Sequence, residues 1–135
     1  WEDFKIVVAF LDMYLGWAYT HKGEREPAIE KIRSSLESLS EIEDQNNELF
    51  TYSLQIFSSI LNSLDPTAAS RLLGGAYAHH RPLSASPWEQ YYRQSVSEKI
   101  KSQIGDEKYN RAFAEGEKMS LNEAIEFAKS LVEKL

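Results

Sequence analysis

The chain contains no cysteine, so neither a disulfide framework nor a thiolate metal site can be built from it. Four prolines and six glycines in 135 residues are too few for a low-complexity or fibrous segment. Positive charge is also scarce. Fifteen Lys and Arg stand against 21 Asp and Glu, a formal net charge of −6. That balance repels a phosphate backbone and argues against direct nucleic-acid binding. No apolar run reaches the ~18 residues that a membrane span needs. The nearest, "IVVAFLDMYLGWAY", is interrupted by Asp12. There is no basic, cleavable leader and no Asn-x-Ser/Thr sequon, which with the missing cysteine makes a reducing cytoplasm the expectation. The chain starts at Trp1 and runs straight into an amphipathic stretch, as a piece of a longer protein would.

What is present is ordinary globular material, 42% hydrophobic and 27% charged, enough for one domain with its own core. Helical periodicity dominates, and three of the four prolines mark helix starts. "LDPTAASRLL" offers Asp65 as N-cap with Pro66 at the first helical position. "SPWEQYY" offers Ser86 with Glu89, and "SLNEAIEFA" Ser120 with Glu123, both as capping boxes. Pro27 fits a first turn entered past Gly23. The pattern predicts seven helices near 2–21, 25–40, 44–64, 66–80, 87–104, 106–117 and 121–134. Leu121, Ala124, Ile125, Ala128, Leu131, Val132 and Leu135 form one stripe on the last, and Ala69, Leu72, Leu73 and Ala76 one on the fourth. No alternating β pattern competes. The class is all-α, and short connections predict antiparallel neighbours.

The first four helices read as two pairs. Leu15, Gly16, Tyr19, Gly23, Ala28 and Ile32 stand at the spacing of a tetratricopeptide repeat, in which Leu-Gly allows close helix contact and a small Ala faces it. Asp12 and Ser40 depart from that motif. A second, eroded copy sets Ala69 against Ala28 and Leu73 against Ile32, with Phe57 where Gly16 stood. The run "DPTAASRLLGGA" (Ala68, Ala69, Arg71, Leu72, Leu73, Gly74, Gly75, Ala76) is followed by the loop "RPLSASPWEQ", by "IGDEKYNRAFAEG", and by Gly116, Met119, Ser120, Leu121 and Ala124. Together these motifs resemble the C-terminal helical region of bacterial LuxR-type and related signal-transduction ATPases of the STAND type. The resemblance covers about residues 64 to 129. It implies a short right-handed tetratricopeptide-like superhelix used for sensing, self-association or restraint of an ATPase. Within it, residues 1–80 would be two repeat-like pairs and 81–135 capping helices. No Gly-x-x-x-x-Gly-Lys-Ser/Thr loop occurs, so nucleotide binding does not carry over.

Candidate sites are weighed against packing. Gly74 and Gly75 fall late in their helix, where they serve close packing rather than phosphate binding. His79 and His80 are adjacent and splay by about 100° on a helix, and no carboxylate lies three residues before them, so no metal site is expected. With three His and no Gly-x-Ser-x-Gly, no catalytic triad is expected. Glu41, Glu43, Asp44 and Glu48 read as a solvated junction. Arg71 calls for a carboxylate partner or for capping of carbonyls. Gly16, Ala28, Ala69, Arg71, Gly74 and Gly75 are thus assigned to packing. Repeat geometry points Phe10, Met13, Trp17, Thr20 and His21 into a concave groove for a peptide or an apolar ligand. Against this, helix 1 is apolar on more than one side (Phe4, Val7, Val8, Phe10, Leu11, Tyr14, Trp17), as it would be if it packed on a preceding repeat. Either way the face is a contact surface, and the isolated chain is expected to expose it and to form a homodimer through it. No cofactor, metal or catalytic residue is expected. The expected partners are a protein or peptide, other domains of a parent protein, or a small effector. A free-standing peptide-binding adaptor, a structural dimerisation domain and an enzyme on a helical bundle stay open as alternatives.

Overall fold

The computed structural model describes residues 2–43, 48–79 and 87–135. They form seven helices and, among the described residues, no strand. These are α1 (Glu2–His21), α2 (Arg25–Ser40), α3 (Glu48–Leu61), α4 (Pro66–Ala78), α5 (Pro87–Ile104), α6 (Asp106–Glu117) and α7 (Leu121–Val132). The expected all-α class is what the chain adopts. Three ends differ: α3 stops at Leu61 rather than 64, α4 at Ala78 rather than 80, and α7 at Val132 rather than 134. Asp44 and His80 lie outside the described residues.

Local chemistry explains the boundaries. Between α1 and α2, Gly23 sits at φ 77, Glu24 N–H reaches back to Tyr19 O (2.9 Å) and Gly23 N–H to Thr20 O (3.1 Å). This Schellman closure satisfies carbonyls that would otherwise be left over, and it needs a left-handed residue where glycine stands. Asp65 caps α4 as anticipated, accepting from Ala68 N–H at 3.0 Å ahead of Pro66. Ser120 and Glu123 form the reciprocal capping box of α7. The matching device at Ser86 lies outside the described residues.

Consecutive pairing holds for α1 with α2 and for α3 with α4. In the first pair, Ser35 Oγ donates to Ala9 O across the interface (2.6 Å). Asp12 accepts from Ser34 (3.1 Å) and pairs with Lys31 (3.9 Å). In the second pair, Ser58 Oγ donates to Ala69 O (2.8 Å). α1 also packs on α3, so the two pairs lie side by side. Short connections do not dictate antiparallel contact at the C-terminal end. α6 and α7 are joined by residues 118–120, yet α6 packs mainly on α4 whereas α7 spans from α4 to α2. The physical reason is the width of their apolar faces. α7 buries Leu121, Ala124, Ile125, Ala128, Leu131 and Val132 in the common core, whereas α6 buries only Tyr109, Ala112 and Gly116. The longer stripe seats where it removes more apolar surface from water. One core runs through the molecule, from Ile6 and Met13 through Leu36, Phe50, Leu54, Phe57, Leu72 and Leu73 to Ile125 and Val132.

Candidate functional site

Two glycine-bearing helices define what is closed in this molecule and what is open. On α4, a Cβ at Gly74 would overlap the Phe113 carbonyl of α6. One at Gly116 would overlap the Arg71 carbonyl of α4 and meet Gly75 N at 3.0 Å. The α4/α6 crossing is therefore backbone on backbone, and all three glycines are buried. Charge seals its rim. The Arg71 guanidinium donates twice to Glu115 Oε2, at 3.0 and 2.8 Å, and lies 5.6 Å from the Phe127 ring centroid of α7. His79 Nε2 stands 2.8 Å from Met119 O, and the ring is exposed. Arg71, Gly74 and Gly75 lie at this crossing, whereas Ala69 meets α3, its carbonyl accepting from Ser58. Gly16 is the counterpart on α1: a Cβ there would meet Ile32 Cγ1 at 2.7 Å and Ala28 O at 3.4 Å.

α1 differs from α4 in having a second apolar face. Ile6, Ala9, Met13 and Gly16 point inward and are buried. On the opposite side, Phe4 (63% exposed), Val7, Val8, Leu11 (52%), Tyr14 (51%) and Leu15 stand in solvent. Their spacing of three and four residues keeps them on one stripe along the helix. No charged residue interrupts the stripe between Phe4 and Ala18, because Asp12 turns toward α2 and is held there by Lys31 and Ser34. Lys5 likewise leans to Glu41 on the α2 side (3.8 Å).

The five residues expected to share a groove do not share a face. Met13 is 0% exposed and belongs to the core, a correction that follows from its lying one helical turn from both Ala9 and Gly16 on the inward side. Phe10 and Trp17 are half-buried on the flank. Trp17 packs against Tyr14 (5.5 Å between centroids) and His21 (4.2 Å), and His21 Nδ1 lies 3.0 Å from Trp17 O. Thr20 is exposed and spends its hydroxyl on Gly16 O (2.7 Å). The exposed apolar side was signalled in the sequence by Phe4, Val7, Val8, Leu11 and Tyr14. Which of the two apolar sides faced out depended on where α2 and α3 packed.

A small cavity of about 170 Å³ opens at the α1–α2 turn, lined by Thr20, Ala28, Ile29, Ile32, Ile60 and Leu64, with Arg25 and Leu135 at its rim. Arg25 donates to Leu135 O and so ties the end of α7 to the start of α2. Arg33 and Glu133 add a second tie (3.1 Å). The lining is mostly apolar, suited to a small nonpolar group, and its two polar side chains are already engaged, Thr20 with Gly16 O and Arg25 with Leu135 O.

Titratable groups with a shifted pKa lie elsewhere. Burial pushes the Tyr109 phenol up, partly offset by Ser97 and Arg93. The Ser120 backbone and hydroxyl hold Glu123 below its ordinary value. Among the described residues, no group of three His, Asp or Glu is arranged to hold a metal ion, and no helix is long and apolar enough to cross a membrane. Comparison with family models, with curated proteins and with solved structures finds no match to this chain.

Proposed function

We propose that this chain is a non-enzymatic helical-repeat module of a bacterial signalling ATPase or transcriptional regulator, working through protein contacts in a tetratricopeptide-like arrangement. The observation that carries the reading is the uncovered outward face of α1. Six large apolar side chains on one helix stripe form a contiguous patch of the kind that marks a protein-contact surface. The paired helices α1/α2 and α3/α4, with Gly16 set against Ala28 and Ile32, agree with the repeat motif that suggested the arrangement. The mechanism is differential contact: a partner seated on α1 favours one arrangement of the parent protein by as much as its affinity differs between the two.

The reading is tested by selecting helical peptides from a display library against the chain and against Leu11→Lys. Peptides with apolar residues at three- and four-residue spacing should be retained by the first and lost with the second. Selection of nothing that depends on Leu11 would refute it. The mass of the native gene product separates a module of a larger protein from a free-standing adaptor. A second reading, effector binding, is favoured by the cavity beside Ile29 and Ile60, whose volume is close to the roughly 150 Å³ engineered cavity that accepts benzene. Benzene should then shift the Ile29 and Ile60 methyl resonances, and unmoved resonances would dismiss it.

A further inference from the structure

Three features of the outward face of α1 suit one occupant, the same face of a second copy. The first is its length and period. Phe4, Val7, Leu11, Tyr14 and Ala18 alternate three- and four-residue steps, a 3.5-residue repeat that matches a helix lying alongside. Val8 and Leu15 widen the strip on one side.

The second feature is volume. Setting two copies of α1 antiparallel with Leu11 on the two-fold axis places Phe4 opposite Ala18, and Val7 and Val8 opposite Leu15 and Tyr14. Larger side chains then meet smaller ones on either side of the central Leu11–Leu11 contact, the alternation that lets facing helices interdigitate. A parallel pair would set Phe4 on Phe4, Tyr14 on Tyr14 and Ala18 on Ala18, overfull at one level and empty at another. Charge is the third. The exposed Asp3 stands at the start of the stripe and the exposed His21 and Lys22 at its end. Antiparallel copies bring the acidic end of each within about a turn of the basic end of the other, and oppose the helix dipoles. Parallel copies would juxtapose like charges.

The area is sufficient. The exposed parts of these side chains, doubled by the two-fold, amount to on the order of 1,000 Å² in total, the threshold for a specific interface. An interface of that size lies at the low end of the range, where weak and transient contacts are found.

We infer that the outward face of α1 pairs two copies of this chain as an antiparallel, two-fold helix pair centred on Leu11. This rests on the protein-contact reading above and names the partner. The absence of cysteine makes the test direct, because each introduced thiol is the sole one. The 135-residue chain is first followed by sedimentation from about 1 to 500 µM, the range in which the weak contacts found at the low end of interface size are sought. A monomer–dimer equilibrium is expected within it, with Leu11→Asp moving the midpoint at least about tenfold by setting two carboxylates face to face. Leu11 is exposed, so circular dichroism of the variant should be unchanged, and Val8→Lys serves as a second variant. Orientation is then read with a short bis-maleimide. An equimolar mixture of Phe4→Cys and Ala18→Cys chains should cross-link to a heterodimer, and Phe4→Cys alone should not.

A strict monomer, a dimer indifferent to both substitutions, or cross-linking of Phe4→Cys with itself would each overturn the inference. A monomer that still selects Leu11-dependent peptides would overturn only the self-pairing and leave the protein-contact reading standing. A monomer that selects none would remove both.

Discussion

α1 and α4 carry similar sequence devices and end in opposite situations. Each is rich in apolar residues and uses glycine to bring a neighbouring helix close, Gly16 toward α2 and Gly74 and Gly75 toward α6. α4 is covered on every apolar side, by α3, α5, α6 and α7, and exposes no large hydrophobic side chain. α1 packs mainly on α2 and α3, and six of its large apolar side chains stay exposed. The difference lies in position within the array. An interior helix has its apolar circumference consumed by neighbours, whereas a helix at the edge keeps a face for something outside the described chain. Apolar residues all round a helix specify that it must be covered, without specifying by what.

The sharpest way to break the comparison is to force the α4/α6 crossing apart. Gly116→Ala places a Cβ inside the Arg71 carbonyl, a backbone atom that no rotamer change can remove. Overpacking should outweigh the gain of about 1 kcal/mol from replacing a helical glycine, for a net loss of about 2 kcal/mol in denaturant unfolding. Gly75→Ala, at the same crossing, meets the flexible end of Met119 at 3.2 Å, Ala124 Cβ at 3.3 Å and Gly116 O at an ordinary 3.4 Å. It should be roughly neutral, and equal losses at the two positions would refute the backbone-contact account.

Removing the cap at the other end of the α7 connection should have the next largest effect. Ser120→Ala deletes the acceptor for Glu123 N–H (3.1 Å) and should cost about 1 kcal/mol in the same assay. The uncovered face should show the smallest effect on folding. Leu11→Lys should change stability by less than about 0.5 kcal/mol, because the side chain is already half in water. A larger loss would mean that Leu11 is part of the fold rather than of a contact surface.

A pH titration sharpens the capping result. Glu123 is held below its ordinary pKa of 4.5 by the Ser120 backbone and side-chain hydrogen bonds. Its folded-state pKa lies below the unfolded one, so its contribution is present above the ordinary carboxylate range and is lost as pH falls through the depressed value. Glu123→Gln keeps a capping-box side chain without the titration. Below pH 4.5 the stability difference between this variant and the parent should shift in favour of the variant. A difference that stays constant with pH would exclude the carboxylate as its source.

Much of this fold was legible in the sequence because its determinants are local. Asp65–Pro66 and Ser120 with Glu123 mark helix starts through hydrogen bonds spanning three residues. Gly23 marks the α1–α2 reversal because only a left-handed residue closes it. The glycines of "RLLGGA" announced a close crossing, and Arg71 announced a carboxylate. Neither the identity of the crossing helix nor Glu115 could be read there, since the partners lie about forty residues on. The groove of Phe10, Met13, Trp17, Thr20 and His21 mixed two sides of one helix. A 3.6-residue period groups residues into faces but does not say which face turns inward.

The sequence by itself determined the helices, their caps and the all-α class, because backbone conformation, capping and apolar period act within a few residues. Tertiary structure alone decided that α7 folds back on α2 and α4 while α6 crosses α4, and that α1 shows its Phe4–Leu11–Leu15 side to solvent. Those outcomes depend on which apolar surfaces remove most area from water when all the helices compete for the same core, a comparison no single segment contains.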